Sequence, residues 1–367
     1  RFKIFDMVVF EKTPTAMSLV SCKFLGSKDR VSIAGNCPKT SVEILYWNGQ
    51  DAQAEKPSFV KTSGLYLGGR CVDMELCAVP RLSRVFAAVA KTNVNTSEGS
   101  ISLVDIETTA ESSFIQTKPD EEFSLFDSYC SYTSLAFNSY QEILSGGKED
   151  GDIIIWDLFS GKEIQRFNAD PCGVNRLKFM PTGQLISIGN SIQSNNPIVK
   201  IWDLRMKNEC IVLSHKGNSE TSQGTELKSL ISRYTSVCCH PVEDKIMSGT
   251  STGSLMMWDI RTEGTIDYKV HSSTVTDCMV HPSQHDCMVT SSRDGTVKCF
   301  NTSSTSSATL TDLNPTNNNN NSSNSSSTAD CVTLAHEPSA IMSIDCEIDS
   351  AMILAVTSTG GLLRMHL

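Results

Sequence analysis

The sequence predicts an all-β chain folded as a seven-bladed β-propeller, and three observations predict it. Short β-type runs ending in an aromatic or apolar residue occur seven times, and three of them close with Trp-Asp pairs: Trp156-Asp157, Trp202-Asp203 and Trp258-Asp259. The runs recur every roughly forty to sixty residues, the spacing of units that cannot bury an apolar face alone and must stack. The N-terminal run at residues 2–10 has no third strand of its own, whereas the last unit lacks a fourth strand before Leu367. These two halves are expected to pair, completing the last blade and removing the free edges that an open stack would present.

The clearest unit spans residues 271–301. His271 precedes an alternating run (Val275, Asp277, Met279); His281-Pro282, a second run at 287–290, the turn Arg293-Asp294-Gly295 and a third run at 296–301 follow. Alternation of period two, punctuated by Gly, Asp and Pro, reads as antiparallel strands. Third strands aligned on this one fall at residues 43–47, 101–105, 153–157, 199–203, 255–259 and 362–366, which gives seven blades. Several depart from the pattern. The first ends Trp47-Asn48, the second Val104-Asp105, the fifth has Thr252 in place of the turn Asp, and the fourth turn is swollen at 190–197.

The order resembles a blade of the WD-repeat (WD40) family. That resemblance implies one hydrogen-bonded structural set of His271, Thr290, Asp294 and Phe300, with Trp156, Trp202 and Trp258 at the aromatic position of other blades. Phe300 has no indole N–H, so the set is incomplete in its own blade.

Because closed β architectures outgrow the usual domain size, residues 1–367 read as one propeller domain. Residues 302–328 are almost entirely Ser, Thr and Asn, have nothing with which to bury a core, and are expected to be a disordered insertion in the sixth blade. Further insertions are read at 118–126 and 216–226, solvated excursions more readily than binding loops.

A formal net charge of −10 and no Lys/Arg cluster interleaved with aromatics argue against direct nucleic-acid binding. No apolar stretch is long enough to cross a bilayer, so a soluble chain without membrane insertion is expected. The 14 cysteines include no Cys-x-x-Cys spacing. They read as buried thiols in a reducing compartment, and no metal or cofactor is implied.

Catalysis is not expected. There is no Gly-x-Ser-x-Gly elbow, phosphate-cradling Gly loop or His-Glu-x-x-His helix. His271 and His336 read as blade-turn residues placed before inner strands. His240-Pro241 and His281-Pro282 recur at one repeat position, whereas a catalytic His is needed once.

Surfaces must then carry the function. Trp202-Asp203-Leu204-Arg205 and Trp258-Asp259-Ile260-Arg261 form a tandem. Asp203, Arg205, Asp259 and Arg261 are candidate protein-binding residues, since an Arg fork can take a partner carboxylate or backbone. The tandem resembles the Trp-Asp-x-Arg boxes of propellers that act as substrate receptors for cullin-type ubiquitin ligases; Arg pairing within its own blade is the other reading.

A wider similarity runs through Asn168-Ala169-Asp170, Val174-Asn175-Arg176-Leu177-Lys178-Phe179, both Trp-Asp-x-Arg boxes, the His-Pro pairs, the Ser/Asn-rich insertion and the ending Arg364-Met365-His366-Leu367. By these segments the chain resembles the small WD-repeat nucleoporins, although its first 130 or so residues match them poorly. The resemblance implies a non-catalytic subunit of the Y-shaped outer-ring scaffold of the nuclear pore. Such a subunit docks, as a monomer within a hetero-oligomer, on a helical-solenoid nucleoporin; it resides at the nuclear envelope, supports mRNA and protein transport, and in animals also visits kinetochores.

Overall fold

The computed structural model describes residues 11–15, 17–27, 30–37, 39–47, 58–107, 110–111, 130–189, 198–206, 210–214, 233–262, 265–301, 331–347 and 351–366. Their strands form seven four-stranded antiparallel sheets. Blades 1 to 6 occupy residues 18–67, 70–111, 132–168, 174–214, 234–269 and 275–336. Blade 7 takes three strands from residues 341–366 and its fourth from Glu11–Pro14.

The ring therefore closes as expected, by an N-terminal strand added to the last blade. The pairing runs from Glu11 opposite Arg364 to Pro14 opposite Gly361. Pro14 is tolerated because the strand is an outer edge. The run at 2–10, to which closure was assigned from sequence, lies outside the described residues, as do 118–126, 190–197, 216–226 and 302–328. The sheet resumes at Cys331–His336, the fourth strand of blade 6.

Every predicted third strand is found. The third strand of blade 4, Ile198–Trp202, stops one residue before Asp203, which begins a turn. First strands of successive blades pack on each other around a central channel, and the core lies between blades. Seven apolar clusters fill the seven joints: Leu103 and Trp156 meet between blades 2 and 3, Val199 and Trp258 between blades 4 and 5, and Leu19 and Val356 across the closure. Each fully buried Ile, Leu or Val there contributes about 2 kcal/mol, so a blade missing one joint loses a large part of its stabilisation.

Eight cysteines, among them Cys22, Cys77 and Cys287, are buried and serve as small core residues. Adjacent Cys238 and Cys239 face opposite joints, one toward blade 6 and the other toward blade 4. Strand direction sorts the turns. Those joining first to second and third to fourth strands share one face, here the lower; those joining second to third strands, with the links between blades, share the upper.

Candidate functional site: channel and faces

On the upper face the predicted His set forms in blade 6. The His271 ring contacts Thr296 Oγ1 through Nδ1 and Thr290 Oγ1 through Nε2, both at 2.9 Å. Thr296 gives its hydroxyl hydrogen to Asp294 at 2.6 Å, so it can only accept from the Nδ1–H of His271, and Thr290 then donates to Nε2. Asp294 also accepts from the backbone N–H of Ser272 and of Thr296. Burial pushes the His271 imidazolium down to about 4, against the opposing pull of Asp294. Asp294 itself is held well below the usual carboxylate range: its hydrogen bonds to Thr296 and Ser272 and the nearby His271 outweigh its partial burial.

The aromatic position behaves differently from blade to blade. Trp202 donates its indole N–H to Ser187 at 2.8 Å, and Ser187 occupies the repeat position of Thr290. Trp258 is buried edge-on against Tyr234, and among the described residues its indole nitrogen has no hydrogen-bond partner; Ser248, at the repeat position of Ser187, donates to the carbonyl of Ser236. Phe300 stands at this position in blade 6, where it costs no hydrogen bond.

Glu337, not His336, takes the place of His271 before blade 7: its backbone N–H binds the Gly295 carbonyl as that of His271 binds the Gly253 carbonyl. His336 is the exposed last residue of strand Cys331–His336, so its assignment as a blade-turn residue was displaced by one position. Gly295 has φ 82°, and a Cβ there would stand 1.9 Å from the Glu337 carbonyl oxygen. His240 and His281 repeat one geometry. Each Nδ1 accepts two backbone N–H groups, from Val242 and Glu243 or from Ser283 and Gln284, and so caps the turn after the Pro.

The channel holds a second polar system that the sequence reading missed. At the bulge of the inner strand, Thr133 donates to the Val174 carbonyl, Asn175 to that of Tyr234, Thr235 to that of Val275, and Thr276 to that of Ile341. These side chains tie blades 3 to 7 in succession. In blades 1, 2 and 7 the same position carries Val20, Val72 and Met342, which cannot make the bond. One residue further on, Ser134 accepts from Leu177 N–H, Asp73 from Leu135 N–H and Asp277 from Ile344 N–H; two residues beyond Ser343, Asp345 accepts from Phe24 N–H. The signal was a polar residue recurring directly after the bulge of each inner strand, hidden because its identity changes between Ser, Asp and Arg from blade to blade.

Burial pushes the Asp73 and Asp345 carboxyls up, and Arg176 or Lys23 pulls the other way. Burial alone would lower the Lys23 ammonium, but Glu75, at 3.6 Å, together with Asp345, Asp277 and Asp73, outweighs it and holds the ammonium above its usual value. These perturbed groups are struts between blades, each bound to backbone or to an opposite charge. Among the described residues, no group of three or more His, Cys, Asp or Glu is arranged to hold a metal ion.

On the lower face the four candidate residues are placed side by side in blades 4 and 5. Arg205 closes a fork on Asp203, with 3.0 and 2.7 Å contacts, inside its own turn. Arg261 pairs with Asp244 at 2.6 Å, while Asp259 accepts the backbone N–H of Arg261 and of Thr262. Both Arg side chains remain 80% exposed. The same face carries Tyr140 (95% exposed) and Phe159 in blade 3, Met206 in blade 4 and Val242 (72% exposed) in blade 5. Arg81 of blade 2 lies over the Phe159 ring at 5.1 Å and pairs with Glu142.

Residues 134–344, more than half of the chain, match the family model of the nucleolar protein 10-like, N-terminal domain, a β-propeller. The chain belongs to this family. Among curated proteins it is similar to an uncharacterized WD repeat-containing protein of Saccharomyces cerevisiae, 27% identical over 43% of this chain and 38% of that protein. It is also similar to the nucleoporin Nup43 of Mus musculus (27% over 42% of this chain and 38% of that protein) and to the nuclear distribution protein PAC1 of Komagataella phaffii (27% over 45% and 33%). The match thus spans about two fifths or less of the length of these relatives. Within the family the propeller is the shared part, a WD-repeat platform for protein interaction.

Proposed function

We propose that the chain is a non-catalytic structural subunit of the outer ring of the nuclear pore, the Y-shaped scaffold, in which it docks on a helical-solenoid nucleoporin and supports assembly and nucleocytoplasmic transport. The observation that carries this reading is the lower face. Exposed Tyr140, Phe159, Met206 and Val242, interspersed with Arg81, Arg205 and Arg261, run across blades 2 to 5. Aromatic, Met and Arg side chains on a rigid support are the composition of binding hot spots. The similarity to nucleoporin Nup43 supports the same reading, as does the use of every perturbed channel carboxylate in joining blades. The nucleus and nuclear envelope are the corresponding location.

The test is recovery of partners by the tagged chain from a gentle nuclear-envelope extract. Stoichiometric Y-complex nucleoporins are expected, with loss on combining Tyr140→Asp with Val242→Asp. Recovery unaffected by those changes, or no enrichment at the nuclear rim, refutes the docking.

The second reading, a cullin-type ligase substrate receptor, is favoured by the 80% exposure of Arg205 and Arg261. An adaptor would have to replace the pairings with Asp203 and Asp244. Arg205→Glu with Arg261→Glu then abolishes adaptor capture and leaves the fold intact.

A further inference from the structure

The upper mouth of the channel differs from the rest of this acidic molecule. A cavity of about 500 Å³ opens there, and Arg176, Arg233 and Arg293, from blades 4, 5 and 6, line it. Arg176 is partly engaged, with Nη1 3.3 Å from the Thr133 carbonyl and 3.7 Å from Asp73. A guanidinium has five N–H donors, so most of them stay available. The Arg233 and Arg293 side chains are exposed, and among the described residues neither has an ion pair or hydrogen bond. Glu149 is the acidic residue in the lining, so positive charge is in excess.

We propose that this mouth binds a short carboxylate-rich peptide segment of a partner protein, with Arg176, Arg233 and Arg293 each taking an anionic side chain. The inference rests on the interaction-platform reading above and adds a second surface, opposite the lower face. Three forks set around the mouth by three successive blades suit carboxylates spaced along a chain, because Arg pairs with a carboxylate through two parallel N–H···O bonds. A single dianion would meet only part of this arrangement and would face Glu149. A polyanion extending beyond the mouth would meet the negative remainder of a chain whose formal net charge is −10, which limits the ligand to a few residues. The rim hydroxyls Thr133, Thr235 and Thr276 already spend their hydrogens on neighbouring blades, so the mouth is rigid and ordering it costs little on binding.

The experiment is fluorescence anisotropy of the full chain with a labelled peptide Gly-Glu-Glu-Asp-Glu-Gly against its amide counterpart Gly-Gln-Gln-Asn-Gln-Gly. Binding of the acidic probe alone is expected, weakening as salt rises. Arg233→Glu with Arg293→Glu should lower its affinity by at least about tenfold. The pair Arg233→Gln and Arg293→Gln, less demanding of the fold, should lower it in the same direction.

Equal binding of the amide probe, or affinity unchanged in both variants, overturns the proposal. So does a phosphoserine peptide or a short oligothymidylate that binds where the carboxylate peptide does not. Failure here leaves recovery of partners through Tyr140 and Val242 untouched, whereas loss of that recovery leaves peptide binding at the mouth in place.

Discussion

Replacing His271 by glutamine should change the pH dependence of stability as well as its size. The folded imidazole is buried, receives a hydrogen bond from Thr290 at Nε2 and donates to Thr296 from Nδ1, so it must be neutral. Its value falls from 6.5 to about 4. Because the folded value is the lower one, the unfolded chain takes up the proton first as pH drops. The contribution is whole above pH 6.5 and is lost on the way down to about pH 4. At about 1.4 kcal/mol for each pH unit, that interval is worth about 3 kcal/mol. The glutamine amide has no proton to gain, while every other titrating group is common to both proteins.

The variant will be less stable at neutral pH, since it cannot reproduce both ring hydrogen bonds. Its deficit relative to the natural chain should shrink by about 2 to 3 kcal/mol between about pH 7 and pH 4.5. Urea unfolding followed by tryptophan fluorescence at several pH values in that interval measures the difference. A deficit that stays constant, or grows, as pH falls refutes the reasoning, as does a His271 titration found near 6.5 by NMR.

Trp202→Phe should cost about 1 kcal/mol more than Trp258→Phe in thermal or urea unfolding, because of these two Trp202 is the one whose indole is hydrogen-bonded, to Ser187; equal costs would remove the argument. Thr235→Val deletes the donation to the Val275 carbonyl at nearly constant volume and should destabilise by about 1 kcal/mol. Val20→Thr, at the equivalent place in a joint without this bond, should give no comparable gain, and hydrogen exchange along the two inner strands compares them. Gly249→Ala puts a Cβ 2.5 Å from both Ser236 Oγ and Val275 Cγ1 and should cost about 1 to 3 kcal/mol, read as a lowered unfolding midpoint.

The regular part of the ring was legible because strand periodicity and turn chemistry are local. Trp-Asp pairs and the Arg293-Asp294-Gly295 turn marked the third strands, and blade 6, which has His271, Thr290 and Asp294 of the set, could be read residue by residue. Blades 1 and 2, whose third strands close without Trp-Asp, were found by spacing alone. His336 was misplaced by one residue because a His at the end of a strand and a His after it look alike in sequence; only the register, with Thr296 opposite His336, separates them.

The sequence by itself determined the all-β class, the number of blades and closure by the N-terminal strand, since these follow from a repeated pattern and from the need to pair free edges. Only the tertiary structure decided which polar groups meet. The ties from Thr133, Asn175, Thr235 and Thr276 join residues about forty to sixty-five positions apart. The arginines at the mouth come from three blades, and the lower face collects side chains from four. Such contacts depend on the angle between neighbouring sheets, which no single strand encodes, and so the binding surfaces emerged only once the ring was closed.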